Sequence, residues 1–216
     1  FLWHTDQLIE DNAGNNGYSP QIGISGNNVV AVWRQKDGIN GRIYSNYSTD
    51  GGQSWGVDQL IEDNAGNDGD VPQVGISGNN VVAVWYQNDG SNERIYSNYS
   101  TDGGQNWGAD QLIEDNAAYV GKYPQVAISG DNIVAVWWQS DGSIYRIYSN
   151  YSTNGGQSWG GDQLIEDNTG DGDDPQVAIS GNKVVAVWQQ LYLSNLNTYS
   201  NYSTDGGKTW HTDQSI

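Results

Sequence analysis

The tract DQLIEDN begins at Asp6, Asp58, Asp110 and Asp162, a constant spacing of 52 residues, and a shortened DQSI follows at Asp213. No other feature constrains the fold as much. A chain that repeats itself every few dozen residues builds one supersecondary unit several times and stacks the copies, because one unit cannot bury its own apolar surface.

Within one repeat the strand signals are PQVGIS from Pro72, NVVAVWYQ from Asn80, RIYSNYS from Arg94 and WGADQLIED from Trp107. The links between them are rich in Gly, Asn and Asp, which suit hairpins and tight turns. No segment has a helical period. The run VVAV is apolar at consecutive positions, as expected of a strand covered on both faces. Radial stacking of such sheets gives an all-β, four-bladed β-propeller of four-stranded antiparallel blades, a single domain over residues 1–216. Residues 3–9, WHTDQLI, nearly duplicate 210–216, WHTDQSI, so the fourth strand is present five times. The expectation is that the N-terminal strand completes the last blade and closes the ring, since an open edge invites aggregation. A chain cut from a longer array and a strand-exchanged oligomer are the alternatives.

Composition agrees with this class. Only 36% of the residues are hydrophobic, yet there are 10 Trp and 14 Tyr against one Phe. A core of amphipathic aromatics with Val and Ile favours strands. The formal charge of -18 argues against nucleic acid and anionic membranes as partners. With no Cys, disulfides and thiolate sites are excluded. No apolar run reaches the ~18 residues of a membrane helix, and no N-terminal signal or Met is present, so a soluble, processed chain is expected.

The octet at 48–55, STDGGQSW, fits S-x-D-x-G-x-x-W, as do those at 100–107 and 203–210; the octet at 152–159 carries Asn154 in place of the acid. This motif resembles the Asp box of the sialidase-type, or BNR-repeat, propellers, and the four copies extend the resemblance over essentially the whole chain. The residue types predict a structural role: Asp50, Asp102, Asn154 and Asp205 accept turn amides, Gly takes positive φ, and Trp55, Trp107, Trp159 and Trp210 anchor the hairpin. The resemblance implies that the boxes lie opposite the face where that family has its active site.

The repeats differ mainly on that opposite face. After the repeated Trp stand Arg34, Tyr86, Trp138 and Gln189, each followed by Gln: Gln35, Gln87, Gln139 and Gln190. With Tyr123 and Tyr145 near in register, these are the candidate ligand-binding residues. Rings stack on the C–H faces of sugars while amides bond to hydroxyls, so glycan is the expected ligand, met outside the cell or at its surface. Simple loop drift explains the same variation.

Resemblance to sialidases also implies an arginine triad, a Tyr nucleophile paired with Glu, and an acid/base Asp. This chain has four arginines, and Arg42, Arg94 and Arg146 occupy equivalent third-strand positions, a pattern that suits ion pairs between blades better than one clamp. No catalytic set stands out. A non-catalytic recognition module is therefore favoured over sialidase-like hydrolysis or a protein-binding scaffold. No cofactor and no metal site are expected; Ca²⁺ at Asp68, Asp70, Asp171, Asp173 and Asp174 is the one candidate, without EF-hand spacing. The NYS triplets at Asn46, Asn98, Asn150 and Asn201 match a glycosylation acceptor but fall within strands.

Overall fold

Each repeat folds as one antiparallel sheet whose strands pair in chain order. The computed structural model describes residues 6–11, 15–64, 66–116, 118–192 and 194–216. The first blade comprises β1 (Gly17–Ser25), β2 (Asn28–Asp37), β3 (Asn40–Ser48) and β4 (Gln59–Leu60). The second comprises β5 (Gly69–Ser77), β6 (Asn80–Asn88), β7 (Glu93–Ser100) and β8 (Gln111–Leu112). The third has β9 (Gly121–Ser129), β10 (Asn132–Ser140), β11 (Tyr145–Ser152) and β12 (Gln163–Leu164). The fourth has β13 (Gly172–Ser180), β14 (Lys183–Tyr192), β15 (Asn195–Ser203) and β16 (Gln214–Ser215). These are four blades of a β-propeller, with no helix among the described residues.

The core lies between blades. Val30, Val32, Ile43 and Ile61 of the first blade pack against Val81, Ala83 and Trp85 of the second, and the same layer recurs at the next two boundaries. Alternate residues of β6 thus face opposite neighbours, which explains why the whole VVAV run is sealed. The box tryptophans Trp107, Trp159 and Trp210 pack into the margins of these layers.

A buried polar chain crosses each boundary. Trp85 donates its indole N–H to Gln87 Oε1 at 3.0 Å, and Gln87 Nε2 donates to Glu62 of the first blade at 2.9 Å. The other oxygen of Glu62 accepts from Arg42 Nε. The set recurs as Trp137, Gln139, Glu114 and Arg94, and as Trp188, Gln190, Glu166 and Arg146. Asn98 adds a tie at 2.8 Å to the carbonyl of Ile61. The asparagines of the NYS triplets are buried, so these triplets are part of the blade boundary.

The strand pairing does not confirm the expected ring closure by the N-terminal strand. The outer edge of β15 is already taken by β16 of its own repeat, through Tyr199 opposite Ser215 and Ser200 opposite Gln214. The described part of the N-terminal copy, residues 6–11, instead lies against the first blade. Asn46 donates to the Ile9 carbonyl at 2.8 Å and Gln35 to Glu10 at 2.8 Å, the bonds that Asn98 and Gln87 make to Ile61 and Glu62. Residues 6–11 therefore stand where the fourth strand of a preceding blade would stand. Blades one to four are packed in succession, whereas the outer faces of blades one and four remain open: Ile22 and Ile24 are 66% and 65% exposed, and Val185 is 47% exposed where Val30, Val82 and Val134 are sealed.

Candidate functional site

Each innermost strand carries the same irregularity at the end opposite the boxes. Ser19, Val71, Tyr123 and Asp174 all adopt φ near +50°, each immediately before a proline, where the β1–β2, β5–β6, β9–β10 and β13–β14 registers shift. A non-glycine residue in this region is held there by its surroundings. At the second and third of these bulges the residue before the bulged one, Asp70 or Lys122, lines a cleft.

Two clefts open there and share Glu93 and Lys122. The first, about 350 Å³, is lined by Arg34, Asp68, Asp70, Tyr86, Glu93 and Lys122. The second, about 340 Å³, is lined by Tyr119, Lys122, Trp138 and Tyr145 together with Glu93. Arg34 lies across β3 because Gly41 has no side chain: a Cβ there would fall 2.2 Å from Arg34 Nε. From this position Arg34 donates to the Gly69 carbonyl at 3.1 Å and meets Asp68 and Asp70 at 3.5 and 3.7 Å. Lys122 pairs with Glu93 at 3.2 Å and sits 5.3 Å from the centre of the Tyr86 ring. The cations of the cleft are thus matched by carboxylates.

A row of rings joins the clefts. Tyr86 meets Tyr123 edge to face at 6.0 Å, Tyr123 lies 5.8 Å from Trp138, and Trp138 lies 4.4 Å from Tyr145. Trp138 is the buried member, whereas Tyr123 and Tyr145 are 44% and 47% exposed and offer their faces to solvent. Burial first, and then the charge of Asp70, raises the Tyr86 phenol well above its ordinary value. Its phenol therefore holds its proton more tightly than an ordinary tyrosine does.

The sequence placed ten residues at this site, and the structure divides them. Arg34, Tyr86, Trp138, Tyr123 and Tyr145 gather around the two clefts. Gln35, Gln87, Gln139 and Gln190 do not: they are buried inside the boundaries, bonded to Trp and Glu. The reason is strand alternation, which sends Gln87 into the layer that Tyr86 turns away from. Gln189 lies on β14 opposite Asp173 and Thr198, away from the aromatic row. Sequence reasoning missed Lys122 and Glu93; each stands where the other repeats differ in type, which was the available signal.

Asp68 and Asp70 are engaged with Arg34, and Asp171 accepts the Tyr145 N–H at 2.8 Å. Among the described residues no three carboxylates or histidines converge as metal ligands. The third-strand arginines are enclosed in ion pairs with Glu62, Glu114 and Glu166 and do not reach the clefts.

The boxes form the opposite face. Asp50 Oδ1 accepts from the N–H groups of Gln53 and Ser54, both at 2.9 Å, and from Ser48 Oγ at 2.7 Å. The Ser54 side-chain and amide bonds, followed by Ser48, lower the Asp50 carboxyl to about 2. Asn154 keeps the same acceptor, taking Ser152 Oγ and the Ser158 N–H, while its amide donates to Ser158 Oγ at 2.8 Å. Gly51 and Gly52 supply φ of 76° and 87°.

Comparison with known proteins agrees with this geometry. The BNR/Asp-box repeat model matches residues 202–212. No curated protein matches the chain. Among solved structures, a Dyadobacter fermentans protein of unknown function is similar at 15% identity and a TM-score of 0.65, over 96% of this chain and 71% of that one. The NanB sialidase of Streptococcus pneumoniae matches at 10% identity and 0.63, over 97% of this chain and 54% of its own. The Trypanosoma rangeli sialidase matches at 18% and 0.63, over 94% and 40%. The chain spans about half or less of the length of these two sialidases. With the box motif, the blade order and these neighbours together, the chain has the β-propeller fold of the sialidases it is similar to and carries a BNR/Asp-box repeat at residues 202–212.

Proposed function

We propose that the chain is a non-catalytic recognition module that binds glycan across the two clefts opposite the Asp boxes. The observation that carries this reading is the row Tyr86, Tyr123, Trp138 and Tyr145 beside cations already matched by carboxylates. Exposed rings stack on sugar C–H faces, and the flanking Asp68, Asn88 and Lys122 bond to hydroxyls. Hydrolysis by the sialidase route is disfavoured by Arg42, Arg94 and Arg146 being enclosed in ion pairs, away from the clefts. Structural polysaccharide outside the cell is a fitting ligand, since a long polymer spans adjoining clefts.

A glycan array, followed by titration of the best hit against tryptophan fluorescence, tests the reading. Binding is expected to be lost in Tyr123→Ala and Tyr145→Ala with the fold retained. Turnover of a fluorogenic sialoside, or binding indifferent to both substitutions, would overturn it.

A further inference from the structure

Both clefts are walled by charges that already answer one another. Arg34 donates through Nε to the Gly69 carbonyl at 3.1 Å, meets Asp68 and Asp70 at 3.5 and 3.7 Å, and lies 5.5 Å from the centre of the Tyr18 ring. Its side chain is only 17% exposed. Lys122, in the wall that the clefts share, pairs with Glu93 at 3.2 Å and faces the Tyr86 ring. Two of the carboxylates are themselves fixed by the backbone: Asp68 Oδ1 accepts the Gly41 N–H, and Asp70 Oδ1 accepts the Val71 N–H at 2.8 Å. The first cleft thus contains one carboxylate more than it has cations, and the second contains equal numbers.

We infer, resting on the recognition of glycan proposed above, that the sugar taken by these clefts is uncharged, and that Asp68, Asp70 and Glu93 turn away glycans bearing carboxylate or sulfate. An acidic sugar needs a cation with available donors, and arginine serves a carboxylate best through two parallel N–H bonds. To reach Arg34 such a sugar has to displace Asp68 or Asp70 and then remain beside them; at Lys122 it meets Glu93. Like charges brought together in this way oppose binding and select against the wrong partner. The formal charge of -18 on the whole chain acts in the same direction at longer range.

A neutral sugar meets none of these obstacles. Its hydroxyls donate to Asp68, whose side chain is 59% exposed, while its C–H faces stack on Tyr123 and Tyr145. An amine-bearing sugar sets its ammonium beside Arg34 and Lys122 as much as beside the acids. The same pairs therefore act against either sign of charge, and the acids outnumber the cations only in the first cleft.

Titration of the full chain, followed by tryptophan fluorescence, tests this with oligosaccharides of glucose, mannose and N-acetylglucosamine, with galacturonate, sialylated and sulfated oligosaccharides, and with chitosan oligomers. A neutral member is expected to bind most tightly, with an affinity that changes less than about twofold between low and high salt. The acidic members should not bind. Asp68→Asn/Asp70→Asn keeps both amide acceptors and releases Arg34 from its counter-charges; Glu93→Gln does the same for Lys122. Each variant should bind the best neutral ligand, its primary hydroxyls oxidised to carboxylates, about tenfold more tightly than the wild type does. A gain of this kind cannot come from a damaged fold, and circular dichroism confirms that both variants are folded. An acidic or amine-bearing oligosaccharide that outbinds every neutral one overturns the inference while leaving glycan recognition intact. Folded variants that gain nothing toward the oxidised ligand overturn it as well. Failure of every class to bind overturns glycan recognition itself and this inference with it.

Discussion

Gln87 on β6 donates its Nε2 to the Glu62 carboxylate at 2.9 Å across the boundary between the first two blades, and neither side chain reaches solvent. Because Arg42 holds the other oxygen of that carboxylate, each boundary contains a charge pair whose members come from one blade and whose neutral bonding partner comes from the next. Burying an ion pair stabilises only when every remaining lone pair is satisfied, and here Gln87 and the Asn64 N–H complete the set.

Glu114→Ala leaves Arg94 enclosed with Asp89 as its remaining ion-pair partner among the described residues and removes one of the two acceptors of Gln139, the other being the Asn116 carbonyl. The expected loss is about 3 kcal/mol of unfolding free energy. Urea unfolding measures it; a loss below about 1 kcal/mol would mean that the network is dispensable.

A second ionisable motif sets the response to pH. Asp58, Asp110, Asp162 and Asp213 each exchange a backbone bond with an aspartate of the neighbouring blade or, for Asp58, with Asp11. Burial first, and the facing carboxylate after it, raises their pKa above the ordinary 3.8. A group that binds its proton more tightly when folded stabilises the fold below its unfolded pKa and loses that effect as pH rises through the folded one. Asp50 and Asp205, lowered to about 2 by bonds from Ser54 and Thr209 first, act in the opposite sense and lose their effect between about 4 and 2. The Tm is therefore expected to rise as pH falls from 7 toward about 4 and to drop below that. A Tm that declines steadily from pH 7 downward contradicts the assignment.

Asn154→Asp should leave stability within about 0.5 kcal/mol, since the acceptor pattern is already that of Asp50. Asp102→Ala removes the acceptor for the Asn106 N–H and Ser100 Oγ together and should cost about 1–2 kcal/mol. Paired thermal melts of the two variants check the contrast.

Gly41→Ala places a Cβ where Arg34 now lies and drives the guanidinium away from Asp68 and the Gly69 carbonyl. If glycan binds in the first cleft, affinity should fall about tenfold while the melting point moves by a few degrees at most. Affinity equal to the wild type would place the ligand elsewhere on the face.

The strand order and the blade count were legible because the period and the strand signals repeat without interruption. The inward course of Gln87 was legible too, had the alternation of adjacent strand positions been applied to Tyr86 and Gln87 together. Lys122 and Glu93 meet across a blade boundary, a distance the chain order does not display. Nor does a period of 52 say how far each blade rotates from the last, so the open seam between Val185 and Ile22 had no sequence signature of its own. Thr198 in the place of Ile43 was the nearest hint.

Asn98 grips Ile61, Asn150 grips Ile113 and Asn46 grips Ile9 by one and the same bond, and the partners are 37 residues apart every time. Unequal recombination that excises or inserts one whole period rejoins matching halves and recreates each of these grips. The last period is one residue shorter and Asn201 still grips Ile165, there across 36 residues, so a change of length taken up in a loop leaves the grip in place as well.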